Sequence, residues 1–324
     1  MRAAALVVLL ALAQSAPLPD PPAAREIAPQ TFLVPGAMLP DRGPDGNSVI
    51  ITAPDGLVVV DTGRHPWHSD GIVAFARAHH AAITAIVNTH WHLDHASGNV
   101  RLKAAFPTAR VYTTRAVERA IAPGGFLARN LDAARARPPE ADAPAVRQEE
   151  RALFLATMDA AAALTPDVAV EQSGPLMLAG RRFAAHVTDG AVTDADLWLY
   201  DEATRVAIIG DLVTVPAPFF ETACPAQWEA ALDEVWATPF EQAVPGHGPV
   251  LTRAAFDTYR TAFRRFRACV AGDTAAAGCA EAWTRDAGRF FDTDADRRQA
   301  TEYASYYVDF LRKGGGASAD CRAR

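Results

Sequence analysis

A chain of 324 residues is long enough for one large or two small domains. Half of its residues are hydrophobic and 21% are charged, an ordinary globular balance that allows a sizeable core. The formal net charge of -7 argues against nucleic acid, whose binders carry a basic face, and leaves a small-molecule substrate as the expected partner.

Arg2 precedes an uninterrupted apolar run, Ala3 to Ala13, and Ala11-Leu12-Ala13 fits the small-x-small cleavage rule. Residues 1–13 therefore read as a signal peptide, with Gln14 as the first mature residue. The run is shorter than the ~20 residues of a spanning helix, so no stable membrane insertion is expected once it is cut. The mature protein is expected to be periplasmic or secreted. Residues 14–30, rich in Pro and Ala from Asp20 to Pro29, read as a tether.

The β-branched runs Ser48–Thr52 and Leu57–Val60 flank Ala53-Pro54-Asp55-Gly56 and predict a hairpin. Trp67 to His80 has helical spacing, with His79 and His80 at its exposed end. Thr84–Asn88 reads as a strand, Arg101–Phe106 as a helix ended by Pro107, and Ala109–Thr113 as a strand. This alternation predicts an α/β fold with stacked layers. Residues 115–165 are Ala/Arg/Glu-rich and broken at Pro123-Gly124-Gly125 and Pro138-Pro139, which predicts a helical insert of two pieces and a link. Strands return at Leu176–Leu178, Arg182–Val187, Asp196–Tyr200 and Arg205–Ile209, followed by helices at Pro225–Trp236 and Arg253–Val270. Residues 271–324 read as a helical C-terminal extension. In an oxidising compartment the four cysteines can pair. Cys269 and Cys279 suit a bridge stapling a helical hairpin, which leaves Cys224 with Cys321, although sequence alone permits three connectivities.

The chemistry concentrates behind the strand Thr84–Asn88, in Thr89-His90-Trp91-His92-Leu93-Asp94-His95. Imidazole and carboxylate suit zinc and iron. In extended backbone His90 and His92 point the same way, and a turn at Leu93 lets Asp94 and His95 address a second point. Further ligands are expected at the strand end Gly210-Asp211 and on the turn Pro245-Gly246-His247-Gly248. Asp61, in Val59-Val60-Asp61-Thr62-Gly63, also ends a strand and is assigned to holding a ligand histidine or loop backbone.

These motifs resemble the metallo-β-lactamase-fold hydrolase superfamily, over roughly Thr31 to Phe266. The resemblance implies an αββα sandwich spanning residues 31–270 apart from the helical insert. It implies that His90 and His92 serve metal site one, that Asp94, His95 and His247 serve site two, and that Asp211 bridges both. It also implies hydrolysis of an ester, thioester, lactone, lactam or phosphodiester.

The family's usual further histidine falls, in this register, on Val192 of Gly190-Ala191-Val192-Thr193-Asp194-Ala195-Asp196. Valine does not ligate, so one firmly bound Zn2+ at site two and a weak or absent metal at site one are expected. His186 is the one nearby substitute and reads as an ordinary strand histidine. Bound zinc lowers the pKa of its water to about 7, and Asp94 is assigned to orient that nucleophile or take its proton. Competing readings are a non-catalytic metal-containing binding protein and an iron-dependent oxidoreductase of the same fold. His65 and His68 read as surface histidines, alternatively lining the site mouth. Phe219-Phe220 reads as core packing or an apolar wall.

Overall fold

The computed structural model describes residues 19–137 and 143–322, so the signal-peptide reading of residues 1–13 lies outside it. In chain order the first sheet collects β1 (Arg25–Ala28), β2 (Thr31–Val34), β3 (Ser48–Ala53) and β4 (Gly56–Val60). After α1 (Pro66–Ala78) come β5 (Ile83–Val87), α2 (Leu93–Ala96), α3 (Asn99–Ala105) and β6 (Arg110–Thr113). The insert supplies α4 (Ala116–Ile121), α5 (Phe126–Ala136) and α6 (Ala145–Asp159) before β7 (Val168–Ala169) closes the first sheet. The second sheet takes β8 (Gly174–Leu178), β9 (Arg181–Thr188), β10 (Asp196–Asp201) and β11 (Val206–Thr214), then, after α7 (Pro225–Ala237), β12 (Gln242–His247) and β13 (Leu251–Thr252). The chain finishes with α8 (Arg253–Ala271), α9 (Ala276–Asp286), α10 (Asp294–Lys313) and α11 (Ala319–Arg322).

The first sheet runs β1 to β7 in sequence order, antiparallel as far as β4 and parallel beyond it. The second has the order β13-β12-β11-β10-β9-β8. Strand alternation explains why two sheets stack between helices. Val58 and Val60 of β4 face the second sheet, meeting Leu197 and Leu199 of β10. Leu57 and Val59 point the other way, onto Ile72 and Val73 of α1. Trp198 and Tyr200 of β10 likewise turn outward, into a core with Trp228, Phe263 and Trp283. A period of two with apolar residues on both faces belongs to strands buried on both sides, and the result is an αββα sandwich.

Three expectations change. The stretch read as a tether carries β1, whose Arg25 and Glu26 pair with Leu33 and Phe32. The insert holds three helices, because the break at Pro123-Gly124-Gly125 separates α4 from α5. Asp211 does not end its strand: β11 runs on to Thr214, with its register against β12 interrupted on both sides of Gly210. Gly210 adopts φ +50, and a Cβ there would lie 2.5 Å from Thr89 Oγ1, so only glycine makes this irregularity.

Both cysteine pairs form disulfides, Cys224–Cys321 and Cys269–Cys279. Among the described residues, no helix is long and apolar enough to cross a membrane. The C-terminal helices α9 and α10 pack on α8 and complete the outer core of the second sheet through Trp283, Tyr307 and Val308.

Candidate metal centre

The loop between β5 and α2 delivers His90 and His92, and α2 itself Asp94 and His95, to the edge where the two sheets meet. Asp211 Oδ2 lies 3.6 Å from His90 Nε2 and 4.0 Å from His92 Nδ1. Its other oxygen, Oδ1, lies 3.1 Å from His95 Nε2 and 3.5 Å from His247 Nε2. Asp94 Oδ2 completes the second group, 2.9 Å from His247 Nε2 and 3.5 Å from His95 Nε2. The six residues thus form two donor groups, His90–His92–Asp211 and Asp94–His95–His247, with Asp211 reaching both. Gly246 permits this, since a Cβ there would sit 1.9 Å from Asp211 Oδ1.

The hydrogen bonds behind the donors fix which nitrogen faces the centre. Asp61 accepts from Thr89 N and, through Oδ2, from Thr89 Oγ1 at 2.8 Å. Having given its proton away, the Thr89 hydroxyl accepts from His90 Nδ1 at 3.0 Å, which leaves the His90 Nε2 lone pair inward. His95 Nδ1 donates to Asp61 Oδ2 at 2.9 Å, freeing its Nε2 in the same way. Thr222 Oγ1 donates to Val192 O at 2.8 Å and accepts from His92 Nε2 at 2.9 Å, so His92 presents Nδ1. Every imidazole of the His-x-His-x-Asp-His motif is held by its outer nitrogen, the arrangement that orients metal-ligating histidines.

Three observations show that a cation fits. His90 Nε2 and Asp211 Oδ1 are buried without a hydrogen-bond partner. His95 Nε2 and His247 Nε2 face each other at 3.2 Å, a contact that a proton or a metal must mediate. The known zinc–nitrogen and zinc–oxygen lengths set tetrahedral edges of about 3.3–3.6 Å, and the Asp94, His95, His247 and Asp211 Oδ1 separations of 2.9–3.5 Å approach them. The electrostatics of the buried groups agree. Burial disfavours charge on His95, yet the Asp211, Asp94 and Asp61 carboxylates hold its pKa well above the usual imidazole range. Burial, together with His95 and His92, holds His90 well below that range, so it stays neutral and able to ligate. Burial resists ionisation of Asp211, but His95, His247 and His90 keep its carboxyl well below the ordinary value.

Val192 is fully enclosed, and a narrow void beside it is bounded by Thr89, His90, Asp196, Trp198 and Asp211. Asp196 holds this loop by accepting from Val192 N and Thr193 N, and burial pushes its carboxyl up to about 6. His186 is not part of either donor group: it stacks on Trp198 at 3.8 Å and pairs with Glu234 at 2.9 Å.

His65 and His68 are buried, not surface residues. His65 donates Nδ1 to Asp45 Oδ2 and Nε2 to Glu150 Oε1, both at 2.8 Å. Burial opposes its charge, but these two carboxylates raise its pKa above the ordinary value. His68 Nε2 meets Ser48 Oγ at 2.8 Å, and burial lowers its pKa to about 4. Glu150 of α6 also bonds Gly43 N and Arg64 Nε, so the insert is latched onto the loops around the centre. Asn47 Nδ2 donates to Pro245 O and Gly248 O, pinning the turn that carries His247. Thr222, Thr89 and Asn47 carry no sequence signal of their own.

The centre lies at the floor of a cavity of about 750 Å3. Phe126, Leu127 and Phe154 of the insert line it together with Phe219 and Tyr307. Phe219 thus lines the cavity while Phe220 is core.

A family model described as the metallo-beta-lactamase superfamily matches residues 41–300, and the chain belongs to that superfamily, a metal-dependent hydrolase fold. A lactamase-like protein, vrtG, of Penicillium aethiopicum is 33% identical over 107 residues, which cover 31% of this chain and 34% of that protein. The chain therefore matches only about a third of that relative's length. Among solved structures, a metallo-beta-lactamase family protein from Thermus thermophilus superposes with a TM-score of 0.58 at 17% identity, covering 90% of this chain and 95% of that one. A metallo-beta-lactamase from Pontibacter korlensis gives 0.54 at 16% identity, over 74% and 98%. The stereoselective inverting sec-alkylsulfatase Pisa1 from Pseudomonas gives 0.53 at 18%, over 77% and 43%. At these identities the likeness is one of fold.

Proposed function

We propose that this chain is an exported zinc-dependent hydrolase of a small ester, thioester, lactone or lactam. Asp94, His95, His247 and Asp211 hold one zinc firmly, and His90, His92 and Asp211 form a weaker second site. The observation that carries this reading is the grouping of His90, His92, Asp94, His95 and His247 around Asp211 at the floor of a cavity, with His90, His92 and His95 held by their outer nitrogens. When bound, zinc lowers the pKa of a coordinated water toward about 7 and polarises the carbonyl it touches.

The protein's own groups supply the rest. Asp94 lines the cavity beside His247, positioned to orient the attacking water and accept its proton. Thr222, Thr89 and Asp61 keep the imidazoles in one tautomer, so ligands do not reorganise during turnover. Trp91, Leu93 and Phe219 exclude bulk water from one side of the reacting carbonyl. Export is supported by the two disulfides, which persist in oxidising compartments.

The test is metal content by plasma mass spectrometry on protein purified without added metal, with turnover of 4-nitrophenyl acetate followed in parallel. About one zinc per chain is expected, with activity abolished by a chelator and restored by zinc. Bound zinc without turnover of any activated ester would favour the non-catalytic reading that Val192 motivates. Iron in its place would favour the oxidoreductase.

A further inference from the structure

Resting on the hydrolase reading for its chemistry, we propose that the cleft selects an uncharged substrate with a long or bulky apolar group, such as a medium-chain acyl or aryl ester. Three of the four exposed large apolar side chains among the described residues, Met38, Tyr303 and Tyr306, line this one cavity; the fourth, Met177, does not. A soluble protein rarely gathers such residues at one rim unless they meet a ligand. The apolar lining comes from segments far apart in sequence: Phe126 and Phe154 from the insert, Phe219 from the loop after β11, Tyr303 from α10. Its volume of about 750 Å3 lies within the ~300–1,000 Å3 range of small-molecule sites.

The charges on the lining point the same way. The two arginines there are already engaged: Arg42 bonds Glu149 at 2.8 Å, and Arg64 bonds Glu150 at 3.1 Å. The remaining charges at the mouth are Glu221, which accepts from Tyr306 Oη at 3.0 Å, and Glu302. Among the described residues, a phosphate- or carboxylate-bearing substrate finds no unpaired arginine or lysine on these walls and two acids at the rim. A neutral chain loses nothing there and gains from the burial of its apolar surface.

Binding and turnover test this separately. Calorimetric titration of the purified, zinc-containing chain with 2-alkanones from butanone to decanone measures the subsite without any reaction. Affinity should rise about threefold per added methylene, just under the transfer value of a fully buried methylene. Tyr303→Ser with Tyr306→Ser, both at exposed positions that leave the core intact, should weaken decanone about tenfold and butanone less than about twofold. An affinity independent of chain length, or tighter binding of a carboxylate-ended chain of equal length, would overturn the proposal. In parallel, 4-nitrophenyl esters from acetyl to decanoyl should show the same slope in kcat/KM. If no ester turns over while the ketone series keeps its slope, the hydrolase reading fails and the apolar subsite stands.

Discussion

Replacing Val192 by histidine tests the asymmetry of the centre directly. Val192 is enclosed, and the void beside it touches both His90 and Asp211. An imidazole at this position is therefore aimed at the unpartnered His90 Nε2 side of the site. Two effects compete. Enlarging a packed position costs about 1–3 kcal/mol. Against this, losing a residue that merely orients a metal ligand typically costs about 10–100-fold in affinity, so supplying a missing ligand should tighten site one by about 100-fold or more. At free zinc about 100 times the dissociation constant, binding stabilises the folded state by about 2.7 kcal/mol. The variant should thus melt lower than wild type when stripped of metal and recover most of that loss in excess zinc. Metal content by plasma mass spectrometry should rise from about one to about two per chain. A folded variant whose metal count stays unchanged at saturating zinc would show that residue 192 does not face the donors, and the argument for a crippled first site would collapse.

Other consequences are equally measurable. His247→Ala should remove most of the bound metal, because it leaves the compact donor group with a missing corner; full metal in this variant with loss in His90→Ala would invert the two sites. Thr222→Val should lower kcat or site-one occupancy about 10–100-fold and cost about 1–3 kcal/mol of stability through the unpaired Val192 carbonyl, and Thr222→Ser should restore both, since the hydroxyl fixes the His92 tautomer. The Glu150 latch should depend on pH. His65 has a raised pKa in the folded state, so its contribution is complete below its unfolded value near 6.5 and fades as pH rises through the folded one. Burial opposes the Glu150 charge, but His65, Gly43 N and Arg64 lower its pKa to about 2, so its contribution holds above about 4.5 and fades toward 2. Asp45 on the other side of His65 and Arg42 beside Glu150 complete the charged surroundings. Hydrogen exchange in α6, corrected for its intrinsic pH dependence, should be most protected between about pH 5 and 6.5 and less so at about pH 9; a flat profile, or one unchanged by Glu150→Gln, would refute the latch.

The legible parts are those in which local pattern and tertiary role coincide. His90, His92, Asp94 and His95 announce themselves because one strand–loop–helix junction carries all four, and the alternation in β4 and β10 reads directly as buried strands. The misread parts depend on partners distant in sequence. His65 and His68 read as surface histidines until Glu150, from another helix, covers His65 and Ser48 meets His68. Thr222 is an unremarked hydroxyl until the chain returns it to Val192. Asp211 reads as a strand terminus because Gly210 mimics a turn, whereas it bends a continuing strand. Strand β1 hides in Pro/Ala-rich sequence because its pairing with β2, not its composition, makes it a strand.

The bond between Cys224 and Cys321 closes a ring with a sequence separation of 97. Within that ring lie His247 and the tyrosines of α10. At its near end, Thr222 and Cys224 are zipped to the loop of Ala191 and Val192 by hydrogen bonds to their carbonyls. The support of His92 is therefore bolted to the C-terminal helix α11. The His-x-His-x-Asp-His loop and its outer brace thus come from distant parts of the chain, and a covalent bond secures the brace where Cys224 meets Cys321. Reducing that bond should loosen the brace behind His92 while leaving Thr89 and Asp61 in place behind His90 and His95.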